Sequence, residues 1–231
     1  MKILAVDTSA ICASVAVTQD GKILSESSIN TGLTHSRTLM PMIDSALKNG
    51  EISLDSIDVF ACSVGPGSFT GIRIGVAAIK GLCDALSKKC VPVSTLEALA
   101  YNLVGRQCTA VSVMDARCNQ VYAAFFDVEN GFITRIHEDY AVLISELATE
   151  IAKIDKTVIL AGDGAELCYN ALKDSVKNIK LSSEFRRFQR AYGAALAALE
   201  QNNFIQSSLL APVYLRMPQA ERELKLKKEN K

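Results

Sequence analysis

Histidine is nearly absent from this chain: His35 and His137 are its two copies in 231 residues. That scarcity excludes H-x-x-x-H and H-E-x-x-H clusters, and with them a histidine-based metal centre. It also argues against a serine hydrolase. No serine sits in G-x-S-x-G, and Ser68 in the run Gly65-x-Gly67-Ser68 would have to recruit its base from those two rings. His35 opens a helix and reads as a capping or packing group; His137 falls in a strand. Net charge is absent too, with 25 Lys and Arg against 25 Asp and Glu. No global field exists to attract a polyanion, so any nucleic-acid contact must be local or come from another subunit. No run of 18 apolar residues occurs, and MKILAVDTS enters a strand directly, so neither a membrane span nor a signal peptide is expected. The seven cysteines (12, 62, 83, 90, 108, 118, 168) are odd in number and include no C-x-x-C pair. They read as reduced packing residues of a soluble cytoplasmic protein.

What is present is apolar patterning. At 49% hydrophobic residues, the chain can fill one large core or two small ones. KILAVD, CASVAV and KILSESS form a three-strand meander, with a tight Asp20-Gly21 turn between the second and third. Leu39, Met42, Ile43, Ala46 and Leu47 recur at helical spacing over 34–48, with Thr34 as N-cap and Gly50 past the end. A buried strand (57–64), a glycine-rich loop, a helix (70–88), a short strand (91–93) and a helix from Thr95 follow.

The pattern then starts again. LAV-Asp7-Thr8-Ser9 leads through CASVAV to Asp20-Gly21; VSVM-Asp115-Ala116-Arg117 leads through QVYAAFFDV to Asn130-Gly131. A third strand, a helix (145–153), the strand VILAG and a helix (164–174) complete the repeat. Two α/β subdomains are expected, residues 1–105 and a degenerate 106–231 whose C-terminal segment could pack back on the first, joined near Gly105–Gln107 and closely packed. A last helix (189–201), PVYLR and the charged tail ERELKLKKENK end the chain, the tail reading as a solvated terminus.

Acidic turns followed by small or hydroxyl residues can hold phosphates and their metal, and two facing turns make a nucleotide clamp. Asp7-Thr8-Ser9 fits that description. Asp115-Ala116-Arg117 has exchanged the hydroxyl for a guanidinium. Taken alone, each turn reads as a structural Asx turn, and only the duplication raises the ligand-binding reading. Gly65-Pro66-Gly67-Ser68-Phe69-Thr70-Gly71 likewise points backbone N–H groups at an anion, or simply turns a strand into a helix capped by Ser68 or Thr70. It is neither a P-loop nor a dinucleotide fingerprint. In the helix that follows, Arg73, Lys80, Asp84 and Ser87 form a narrow polar stripe. Gly71, Gly75, Ala78 and Ala85 would admit another helix closely, with Ile74 and Leu82 beside them. Burial inside its own domain and burial against a partner stand equally.

VDTS, THSRTLMPMID, SVGPGSFTGIRIG, VSTLEALA, VMDAR, AGDGA and PVYLR together resemble the TsaB (YeaZ) family nearly end to end. The most specific feature is SVGPGSFTGIRIG following THSRTLMPMID. The resemblance implies the duplicated actin, sugar-kinase and Hsp70-like (ribonuclease H-like) fold, with two βββαβαβα halves around a cleft. It implies a paralogue of TsaD, whose two metal histidines would fall on Thr95 and Leu99 here, so no catalytic metal or other cofactor is expected. It implies a non-catalytic, dimerising subunit that pairs with TsaD and the ATPase TsaE. That complex transfers threonylcarbamoyl to the adenosine beside the anticodon of ANN-decoding tRNAs. The implied contact uses the first two long helices, through Arg37, Met40, Arg73, Ala77 and Lys80, and the same face would close a homodimer when the partner is missing. Asp7, Thr8, Ser9, Gly65, Gly67 and Asp115 would then be a vestigial phosphate site. Arg186, Arg187, Arg190 and the basic tail could give tRNA a small footprint, though solvated charge is the better reading. A stand-alone nucleotide-hydrolysing or phosphotransfer enzyme of the same fold is the alternative, and a glycoprotease a more distant one.

Overall fold

Two five-stranded sheets carry the chain, each grown from an antiparallel hairpin. The computed structural model describes residues 1–216, and the charged tail lies outside them. In the first half, β1 (Lys2–Asp7), β2 (Ala13–Gln19) and β3 (Lys22–Ile29) form the meander. Then come α1 (His35–Asn49), β4 (Val59–Gly65), α2 (Phe69–Leu86), β5 (Lys89–Ser94) and α3 (Thr95–Ala100). The second half repeats the order with β6 (Cys108–Asp115), β7 (Gln120–Glu129), β8 (Phe132–Leu143), α4 (Ile144–Ile151), β9 (Val158–Ala161), α5 (Ala165–Leu172) and β10 (Ile179–Leu181). A single-turn α6 (Glu184–Arg187) and α7 (Ala191–Gln201) complete it. The sheets run β3-β2-β1-β4-β5 and β10-β9-β6-β7-β8, so the βββαβαβα duplication expected from sequence is the architecture. The element-by-element reading of the second half stops at the helix 164–174, and β10 and α6 are added to it; three residues of strand and one turn of helix leave no periodic trace.

Alternation explains the layers. β1 sends Leu4 and Val6 into one core and Ile3 and Ala5 into another, all buried. A strand covered on both faces reads as a continuous apolar run. α1 and α2 cover the first face, α1 through the Leu39, Met42, Ile43, Ala46 and Leu47 stripe. α7 covers the other and packs on α3, whose Leu96 and Leu99 meet the second sheet. α4 and α5 close the far side. The result is five layers, α/β/α/β/α.

α7 follows both sheets in sequence but completes the first sheet's core. Its alanines 191, 194, 195, 197 and 198 are all buried. A Cβ on Gly193 would lie 2.1 Å from the Ala98 carbonyl oxygen, so α7 and α3 touch backbone to backbone. Ala191 N–H donates to Ser14 Oγ at 2.7 Å, and Arg190 pairs with Glu26 on β3.

Beyond α7, Ile205 bridges to Cys90 on the free edge of β5. The chain then returns along α2 as a strap, Ser207–Arg216. Ser207 Oγ donates to Asp84, and Lys80 Nζ to the Leu210 carbonyl at 3.2 Å. Val213 N–H bonds the Val64 carbonyl at 2.8 Å. Tyr214 stacks on Phe69 with ring centroids 4.0 Å apart and accepts from Arg73 Nε at 2.7 Å. Arg216 reaches the second half, donating to the Ala116 carbonyl at 2.6 Å. Among the described residues no helix is long and apolar enough to cross a membrane.

Candidate functional site

The two hairpin turns face each other across a cleft of about 620 Å³ lined by both halves. Ser9, Gly67 and Asp115 line it, with His35, Arg117 and Asp163; Asp7, Thr8 and Gly65 stand behind the wall.

The first turn is closed on itself. Asp7 is fully buried, and its Oδ1 accepts from Ser9 N–H at 2.9 Å and Ser9 Oγ at 2.6 Å, while Oδ2 accepts from Ser63 Oγ at 2.6 Å. Burial pushes its carboxyl above the ordinary carboxylate range, against the pull of those serine bonds. Thr8 Oγ1 donates to the Gly71 carbonyl at 2.8 Å, and Ser68 N–H to the Ser9 carbonyl at 2.7 Å. The glycine loop is therefore packed onto the turn. Gly65 and Gly67 hold φ of +130° and +153°, and a Cβ on Gly67 would meet the Ser9 carbonyl oxygen at 2.3 Å. Ser68 caps α2, accepting from Gly71 N–H at 3.2 Å. Thr34 occupies the N-cap of α1 but makes no side-chain cap bond.

The second turn repeats the device with different residues. A Cβ on Gly162 would lie 1.9 Å from the Val113 carbonyl oxygen, so Gly162-Asp163-Gly164 sits on this turn as the glycine loop sits on the first. Asp163 Oδ1 accepts from Asp115 N–H at 3.3 Å. Burial raises Asp163 to about 6, opposed by that bond and reinforced by the Asp115 charge. Asp115 accepts from Arg117 N–H at 2.7 Å, and the Arg117 guanidinium, 3.3 Å from Oδ2, extends into solvent. Sequence reasoning gave Asp163 no role. The signal was the second Gly-x-Gly at the equivalent strand-to-helix junction.

His35 Nε2 lies 2.7 Å from the Ala10 carbonyl oxygen, a packing contact, and His137 is on β8 against Tyr140. Thr95 and Leu99 are fully buried on α3. Among the described residues no three His, Cys, Asp or Glu side chains converge as a metal site. Six cysteines are buried and Cys118 is exposed; none is bridged. Arg186, Arg187 and Arg190 are all engaged internally, with Asn102, Glu166 and Glu26.

On the outer surface, Arg37 and Met40 are exposed on α1, and Arg73 and Ala77 on α2, with Lys80 half-buried. For the two glycines of α2, burial inside the domain is the outcome. Gly71 and Gly75 do not open toward a second helix: a Cβ on either would meet Thr8, at 2.1 Å and 2.6 Å. They seat α2 on the turn that follows β1, and the open small-residue stripe is Ala77, Gly81 and Ala85.

A duplicated βββαβαβα unit closed around a cleft defines the actin, sugar-kinase and Hsp70-like class. The family model described as TsaD, tRNA N6-adenosine threonylcarbamoyltransferase, matches residues 23–223. The tRNA threonylcarbamoyladenosine biosynthesis protein TsaB of Bacillus subtilis is 30% identical over 75% of this chain and 76% of its own. A Pseudomonas aeruginosa structure, described as an uncharacterized protein with similarity to peptidase YEAZ, superposes with a TM-score of 0.78 at 25% identity, covering 93% of this chain and 99% of that one. Component A of the Acidaminococcus fermentans (R)-2-hydroxyglutaryl-CoA dehydratase shares the fold, with a TM-score of 0.52 at 16% identity, over 88% of this chain and 100% of its own. The chain belongs to the TsaB (YeaZ) family.

Proposed function

We propose that this chain is a non-catalytic, dimerising subunit of tRNA threonylcarbamoyladenosine synthesis. It pairs with a TsaD-type transferase, with TsaE as the ATP-dependent third component, and supports threonylcarbamoyl transfer to the adenosine beside the anticodon of ANN-decoding tRNAs. The observation that carries this reading is the closed first turn. Both carboxylate oxygens of Asp7 and the hydroxyls of Thr8 and Ser9 are spent on the protein's own loop. A phosphate or its metal would have to displace those bonds, each costly to leave unmade in a buried site. The Pseudomonas protein is described as similar to a peptidase, whereas here His35 packs and Ser68 caps. With its charges balanced, the chain leaves most of the tRNA footprint to its partner. The α1/α2 face serves the transferase, or a second copy of this chain when the transferase is missing.

Mixing the purified chain with a TsaD-type subunit and measuring mass by light scattering tests this. Wild type should form a heterodimer, and Ala77→Glu should lose it. No association under any nucleotide condition would return the stand-alone nucleotide enzyme to first place.

A further inference from the structure

The strap lies where the docking face would otherwise end. α1 packs over β2 and β3, α2 over β4, and the strap enters at the β5 edge, so the three lie side by side on one face of the first sheet. The strap runs antiparallel to α2, meeting Asp84 first, then Lys80, then Arg73 and Phe69. Arg73, Lys80 and Asp84, at i, i+7 and i+11, share one flank of α2. Ala77, Gly81 and Ala85, at i, i+4 and i+8, share the next flank. That second flank is exposed, and a Cβ on Gly81 would meet nothing within 4 Å. α2 thus forms the floor of a trough with α1 as one wall and the strap as the other.

The walls are apolar where they face out. Met40 on α1 is 48% exposed, and Leu209, Val213 and Tyr214 on the strap are 69%, 49% and 38% exposed. The strap's inward bonds hold these side chains outward: Val213 is fixed through its backbone to Val64, and Tyr214 by its stack on Phe69 and its bond from Arg73. Arg73 also lies 5.4 Å and 5.6 Å from the Phe69 and Tyr214 ring centroids. Its guanidinium therefore works inward on the strap as an anchor.

We propose that Ser207–Arg216 is a third element of the partner-binding face, so that the transferase's helix is gripped between α1 and the strap with its backbone close over Ala77 and Gly81. This rests on the pairing proposed above. A small-residue floor permits approach at the short end of the usual 8–10 Å interaxial range. Apolar walls then exclude water around the contact, the arrangement in which a few residues dominate association. Arg73 and Lys80 act as positioning residues that hold the wall, while Leu209 and Val213 touch the partner.

Association is measured by light scattering and titration for wild type, Ala77→Glu, Leu209→Asp, Val213→Asp and Phe132→Asp. Phe132 is 72% exposed on β8 of the other half, so its variant carries the same charge away from the trough. Each strap variant alters an exposed side chain, and thermal melts coincident with wild type verify the fold. Leu209→Asp and Val213→Asp should each weaken binding about tenfold or more, with Phe132→Asp unchanged. Strap variants within about twofold of wild type, while Ala77→Glu abolishes binding, would overturn the strap's role and leave the pairing intact. A loss in Phe132→Asp equal to that of the strap variants would overturn it as a general charge effect. A wild type that does not bind removes the pairing and the third element together.

Discussion

Asp163 is the residue whose ionisation most directly connects the cleft to stability. Burial holds its carboxyl at about 6, above the 3.8 of a free aspartate, so the folded chain binds this proton more tightly than the unfolded one. The stabilisation is complete below about pH 4 and is lost as pH rises through about 6, the reverse of a salt-bridged carboxylate. In Asp163→Asn the amide oxygen can still accept the Asp115 N–H while the ionisation disappears. Urea unfolding at pH 4.5 and 7 should show the variant gaining roughly 1–3 kcal/mol on wild type at the higher pH; an unchanged pH slope would refute the assignment. Asp7 was legible in the sequence because it ends a repeated strand, but its use was not. Whether a carboxylate faces ligand or protein depends on Ser63, which is 56 residues away.

Elements were easier to read than their faces. The α1 stripe, the Asp20-Gly21 and Asn130-Gly131 turns and the repeated order of three strands, helix, strand and helix all follow from local periodicity. α2 shows the limit: Gly71, Gly75, Ala78 and Ala85 read equally as a seat inside the domain or a face for another helix, and Gly71 and Gly75 seat the helix on Thr8. Periodicity finds a helix, but glycine carries no polarity to say which way it points. Two substitutions separate the cases. Gly71→Ala would drive a methyl into the Thr8 carbonyl and should cost more than about 3 kcal/mol. Gly81→Ala, in open space on the same helix, should gain about 0.5–1 kcal/mol. Equal effects in denaturant titrations would mean that the Thr8 seat is not tight. The strap left no sequence signal of its own either. An irregular segment has no period, and PVYLR stood out through family resemblance alone.

At the scale of the whole molecule, the sequence divides more cleanly than the structure. The repeat suggests a join near Gly105, but α7 supplies five buried alanines to the first sheet's core and the strap covers α2. A C-terminal segment returning to the first half is expected from sequence, but not that α7 is the part that fills its core, because a nearly all-alanine stripe has no face that names its neighbour. Residues 1–105 expressed alone should show no cooperative unfolding by circular dichroism. A sharp melt from that fragment would mean that α7 is dispensable to the first core.

The late arrival of α7 also sets a timetable. A ribosome emits the chain from its N-terminus, so the first sheet emerges with one face bare and stays so while residues 106–201 are made. At ordinary elongation rates that interval is roughly 5–20 s. Throughout it, Ile3, Ala5, Ala16 and Val91 lack their cover, and the nascent chain carries a sticky surface until α7 arrives to shield it. Production of the fold therefore depends on whatever guards unfinished chains during those seconds.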